Sequence, residues 1–147
     1  LSTDLEVTGG GVLIQGFDFS DGRAEFVDPV LVLTNHDLIM EVEQSGLGQA
    51  IGARLTHERP AYVDMGYIVF GAIHQAPAEG YIREIPDIAV GHTYCIVTSE
   101  EKYAKINIIE FEYGNRQTGE AYAWIRFQWQ YQPDGTRDFE ELPDWMQ

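Results

Sequence analysis

The sequence predicts an all-β protein, an antiparallel β-sandwich or open barrel that ends in a meander, with at most a short helix in its middle. Three observations lead there. Short apolar runs bounded by Gly, Pro, Asn or Asp recur along all 147 residues. Eight Tyr, seven Phe and three Trp favour a pleated surface over a helical bundle. In the last third, three strand-like runs follow one another with only short turns between them.

In chain order, "DLEVT" alternates Leu5 and Val7 with Glu6, the period of a half-buried strand. Gly9, Gly10 and Gly11 follow as a turn or a flexible hinge. Residues 1–11 therefore read as an N-terminal strand with its hinge, and residues 12–147 as a single β domain. "VLIQGFDF" and "RAEFV" flank Asp21-Gly22, a strong cue for a hairpin. "PVLVLTNHDLIMEVEQ" reads as two strands around a turn at Asn35-His36. "GLGQAIGARLTHERPAYVDMG" has room for at most a short helix, since its glycines and Pro60 argue against a long one. "YIVFGAIHQ" reads as a buried strand and "APAEGYIREIPD" as a connection. "GHTYCIVT", "KYAKINIIEFEY" and "AYAWIRFQWQY" are the meander, and "QPDGT" is the turn after it.

Lys102 and Lys105 are the only lysines in a chain of net charge −15. Strict alternation puts Lys102, Ala104, Ile106, Ile108 and Glu110 on one face of their strand, and Tyr103, Lys105, Asn107, Ile109 and Phe111 on the other. Lys102 then belongs to the solvated turn beside Glu100 and Glu101. Lys105 lies deeper, with its stem on apolar surface and its ammonium on a carboxylate. On the last strand Trp124 shares a face with Arg126, Gln128 and Gln130, which makes that face partly wet and open to a partner.

The acidic balance repels phosphate backbones and anionic lipid, so nucleic acid is excluded as a partner class. No apolar stretch reaches the ~18 residues that a spanning helix needs. Cys95 is the only cysteine and sits in an apolar run, which suits a small packed side chain better than a nucleophile. A chain starting at Leu1 without an initiator Met is expected to be exported, with a place outside the cell, at its surface or in the periplasm. Neither a G-x-S-x-G elbow nor a phosphate loop is present, and no catalytic residue is nominated.

Three segments, "GFDFSDGR", "GHTYCIVTSEEKYAKINIIEF" and "AWIRFQWQYQPDGTRDF", resemble the HmuY-like group of exported bacterial β proteins, in the family's order and over about a third of the chain. The middle differs, since "DPVLVLTNHDLIMEV" stands where family members carry a Trp-Asp segment and the three Trp lie at 124, 129 and 145. The resemblance implies an antiparallel β fold, export and no catalysis. It also implies heme as a ligand, since some members bind heme through two histidines.

Of the four histidines, His74 in "FGAIHQAP" has the most apolar neighbours and His92 opens a strand, so these two are the heme candidates. His36 reads as a turn residue and His57 lies among polar neighbours. No cofactor is required by the pattern. Calcium is the second ligand it raises, at Asp134, Thr136, Asp138 and Glu140 with Glu141 beside them, or at Asp18 and Asp21. The leading function is a non-catalytic structural or adhesive subunit that associates with itself or another surface protein. Its interaction residues are Leu5, Val7, Gly9, Gly10 and Gly11 of the N-terminal strand and hinge, with Trp124.

Overall fold

The computed structural model describes residues 2–8, 14–19, 23–26, 37–98 and 100–139. These form ten strands: β1 Ser2–Thr8, β2 Ile14–Asp18, β3 Arg23–Phe26, β4 Leu38–Gln44, β5 Ala50–Thr56, β6 Tyr62–Asp64, β7 Glu84–Ile85, β8 Thr93–Val97, β9 Tyr103–Asn115 and β10 Ala121–Gln132. One antiparallel sheet has the order β1-β10-β9-β8-β6 and the other β3-β2-β4-β5-β7. They pack face to face around one main core. Leu38, Met40, Val42, Ala53 and Leu55 come from the second sheet, and Tyr94, Ile96, Ile106, Ile108, Ile125 and Phe127 from the first. The fold is the β-sandwich that the strand pattern predicts, and β8-β9-β10 is its meander.

Alternation explains β10 from Ala121 to Gln128. Ala121, Ala123, Ile125 and Phe127 are buried, while Tyr122, Trp124, Arg126 and Gln128 are half-buried on the outer face. In β9 the alternation breaks. Phe127 pairs with Ile108 but Arg126 pairs with Glu110, so Ile109 is an extra, bulged residue. The bulge corrects the face assignment: Phe111 packs on the core, and Glu110 turns outward to within 3.3 Å of Arg126. One inserted residue reverses every side chain beyond it.

One other expectation is overturned, and one option is not taken up. The stretch with room for a short helix holds β5 and β6. Ala53 and Leu55 alternate into the core there, and burial outweighs local propensity. "YIVFGAIHQ" is no strand: it is a strap over the first sheet with one 3-10 turn, Phe70–Ala72, and it leaves Tyr67 and Val69 exposed. Carbonyls that a ladder would use are taken by a side chain described below. The hairpin at Asp21-Gly22 is borne out in its strands, since Asp18 pairs with Arg23 and Phe17 with Ala24. The turn at Asn35-His36 and the run before it lie outside the described residues.

Tyr62 ties the sheets together. It stands on β6 of the first sheet, fully buried, and its hydroxyl reaches β4 and β5 of the second. The hydroxyl donates to the Thr56 carbonyl at 2.7 Å and accepts from the Ile39 N–H at 3.1 Å. Burial pushes its phenol well above the ordinary range, so it stays a donor. Tyr62→Phe keeps the ring and strands both backbone groups. It is expected to lower stability by about 1–3 kcal/mol in urea unfolding with an unchanged m-value.

Candidate functional site

The N-terminal strand and its neighbour form the first candidate site. β1 pairs antiparallel with β10 through seven residues, from Ser2 opposite Gln128 to Thr8 opposite Tyr122. Leu5 stands opposite Ile125 and Val7 opposite Ala123, both fully buried core residues, while Glu6 stands opposite Trp124. β2 lies in the other sheet, so the chain crosses the sandwich between Thr8 and Ile14. Gly9, Gly10 and Gly11 fall in that crossing, outside the described residues.

On the outer face of β9 and β10, aromatic rings alternate with ionic groups. The Arg126 guanidinium lies 5.4 Å from the Trp124 ring centre, and that of Arg116 lies 4.5 Å from the Tyr122 ring. The Tyr122 hydroxyl donates to Glu112 at 2.8 Å. Trp124 therefore sits half-buried in an ionic ladder, on the partly wet face that its neighbours in sequence predict.

The two lysines part company. Lys102 is at the solvated turn, 3.3 Å from Glu100, as expected. Lys105 is only 1% exposed and, among the described residues, is paired with carbonyls and not with a carboxylate, which corrects the expectation. Its Nζ donates to the Phe70 carbonyl at 2.6 Å and to the Ile73 carbonyl at 2.8 Å. The Phe70 and Phe139 rings lie 4.4 and 5.1 Å from it. Two charge-assisted bonds and two aromatic faces stand in for a counter-ion. Cys95 pairs with Lys105 across β8 and β9 and packs with Ile73, Ala76 and Phe139, as the small buried side chain foreseen for it.

The histidines separate as well. His74 has an exposed side chain despite its apolar sequence neighbours, because the strap turns it outward. His92 is partly buried: its Nδ1 lies 2.9 Å from an Asp64 oxygen, and its ring meets Tyr67 edge-on at 4.2 Å. An aspartate only accepts, so the Nδ1 proton points to Asp64 and Nε2 is left as the free ring nitrogen. His57, expected among polar groups, is buried edge-on against Tyr62.

In the acidic loop, Asp134 accepts from the Thr136 N–H and hydroxyl, both at 2.8 Å, and these with Gln132 hold its carboxyl below the usual range. Asp138 accepts from Gln75 at 2.9 Å. Glu140, Glu141 and Asp21 lie outside the described residues. Among the described residues no group of three or more His, Cys, Asp or Glu converges as a metal site. On the outer face of the second sheet, a shallow depression of about 520 Å³ is lined by Glu41, Glu43, Arg54 and Glu84. An Arg54–Glu41 pair at 2.7 Å lies across it. Burial, then repulsion from Asp87, raises the Glu43 carboxyl.

No protein-family model and no curated protein matches this chain.

Sequence reading missed the carbonyl partners of Lys105 and the Asp64–His92 pair. The one signal for the first was a lysine set between Ala104 and Ile106 in a strand interior. Burial pushes the Lys105 amine down to about 8, below its ordinary 10.5. The unfolded chain then holds more protons than the folded one from about pH 8 to 10.5, and stability contributed by this group rises with pH there. Urea unfolding of the wild type and of Lys105→Met, compared point by point across that window, is expected to show the wild type gaining on the variant as pH increases. Cys95 and the tyrosines titrate in both proteins and largely cancel in the difference.

Proposed function

We propose that this chain is a non-catalytic, exported or cell-surface β-domain protein that assembles with copies of itself, as a structural or adhesive subunit, by exchanging its N-terminal strand. One observation carries the reading. β1 completes the first sheet through backbone pairing with β10, while the chain that follows it leads through a glycine-rich crossing into the opposite sheet. Another copy's β1 can make the same seven pairs. Closed and exchanged forms then differ mainly in hinge strain and concentration. Export rests on the resemblance to HmuY-like proteins.

The hinge supplies the test. From Thr8 to Ile14 the chain takes six Cα steps, a reach of roughly 20 Å against the ~10 Å between packed sheets. Deleting Gly9–Gly11 halves that reach to about 10 Å, which leaves no slack for β1 to return to its own β10. Light scattering of this variant is expected to give a dimer or larger species at concentrations where a lengthened hinge gives one chain. In a variant lacking residues 1–8, a labelled peptide of those residues is expected to bind. Monomers throughout, with no peptide bound, would sink the proposal.

The second reading, a heme or other small-ligand protein of HmuY type, draws on His92. Asp64 orients that imidazole with Nε2 free, the arrangement that suits a metal ligand. Heme titration is expected to give a Soret shift that His92→Ala abolishes, whereas His74→Ala tests the second axial position.

A further inference from the structure

Between Gly66 and Gly80 the chain runs over the outer face of the first sheet as a strap. Both glycines take left-handed backbone angles, φ +74° and +94°, with nothing closer than 3.9 Å to the place of a Cβ. Backbone geometry, not packing, reserves these two positions for glycine. The strap is held at its start, its centre and its far end, and the Tyr81 hydroxyl donates to its Pro77 carbonyl at 2.9 Å. At its start, Thr93 of β8 donates its N–H to the Gly66 carbonyl at 3.0 Å and its hydroxyl to the Ile68 carbonyl at 3.1 Å. At its centre the two carbonyl bonds come from Lys105. At its far end the strap binds residues 137–139: Ala76 N–H donates to the Arg137 carbonyl at 2.8 Å, and Phe139 N–H to the His74 carbonyl at 2.9 Å.

Between it and the sheet lies a second cluster of buried residues, distinct from the main core: Ile73 and Ala76 from the strap, Phe139 from the segment it binds, and Cys95 of β8 on the floor. Raising the strap together with 137–139 uncovers this cluster and leaves the contacts between the two sheets in place. Its opening therefore costs only part of the global unfolding free energy. On its outer side Tyr67 is 80% and Val69 73% exposed.

We infer that the Gly66–Gly80 strap is a lid that opens as its own cooperative unit about those glycines, with Lys105 as its latch and Cys95 as the group it guards. Closed, the ammonium satisfies two lid carbonyls from the floor of the sheet. Open, the carbonyls and the ammonium are hydrated separately, and a recess appears in which a thiol and an amine stand side by side among Val63 and Tyr103. That recess would be a cationic, apolar-walled site in a protein of net charge −15. The inference does not depend on strand exchange.

Cys95 is the sole cysteine, so a disulfide reagent such as dithionitrobenzoate reads the lid directly. In the native protein it is expected to label at least about tenfold faster than global unfolding allows. Hydrogen exchange at the Ala72, Ile73 and Ala76 amides is expected to run with the labelling, while amides of β4 and β5 stay protected. Lys105→Ala is expected to speed both lid readouts by about tenfold or more, the equivalent of one lost hydrogen bond, without moving β4 or β5. Labelling only at the global unfolding rate, or strap and sheet amides exchanging together, would overturn the lid. A Lys105→Ala protein with unchanged labelling would overturn the latch. Should that variant not fold, the wild-type comparison of labelling with exchange decides alone.

Discussion

β10 cannot be an edge strand, and much of the molecule follows from that constraint. Ala123, Ile125 and Phe127 have no solvent exposure. A strand that contributes this much to the core would leave a row of backbone groups bare if one side lacked a partner, an open template for aggregation. β9 takes one side in the meander, and β1 takes the other. Covering that edge sends the chain's first strand to one sheet and its second strand to the other, and puts the glycine-rich crossing between them. The edge is thus moved to β1, whose sequence carries Asp4 and Glu6, charges of the kind that discourage further strand addition.

Lys105 shows how a charge can be kept inside with no counter-ion among the described residues. An isolated ammonium in an apolar setting loses several kcal/mol of hydration. Two short carbonyl bonds and two aromatic faces return part of it, and the lowered affinity for the proton records the remainder. Placing the ammonium under the strap couples a surface segment to the interior of β9. The same bonds explain why an apolar run did not become a strand: Phe70 and Ile73 give their carbonyls to a side chain, and the turn between them closes as a 3-10 turn.

Tyr62 solves a related problem at the end of the sandwich. Its short strand is an edge of the first sheet, yet its hydroxyl satisfies a donor on β4 and an acceptor on β5. Nothing in "PAYVDMG" marks this tyrosine among the eight, because the partners are 23 and 6 residues away and meet it only across the core.

Local pattern alone determined the fold class, the meander, the hairpin around Asp21-Gly22 and the wet side of Trp124, because alternation and turn chemistry act over a few residues. The same alternation failed past Ile109, where a bulge invisible to periodicity reversed Glu110 and Phe111. Apolar composition failed at "YIVFGAIHQ", since a run of that kind says that something is covered but not which side covers it. It failed again at His74, turned to solvent by the strap, and at His57, taken into the core. Which carbonyls receive the Lys105 ammonium, which carboxylate orients His92 and which strand covers β10 were decided only in the tertiary structure. Each joins groups distant in sequence, and the cost of leaving a buried polar group or a core strand's edge unpaired selects the partner after the sheets have come together.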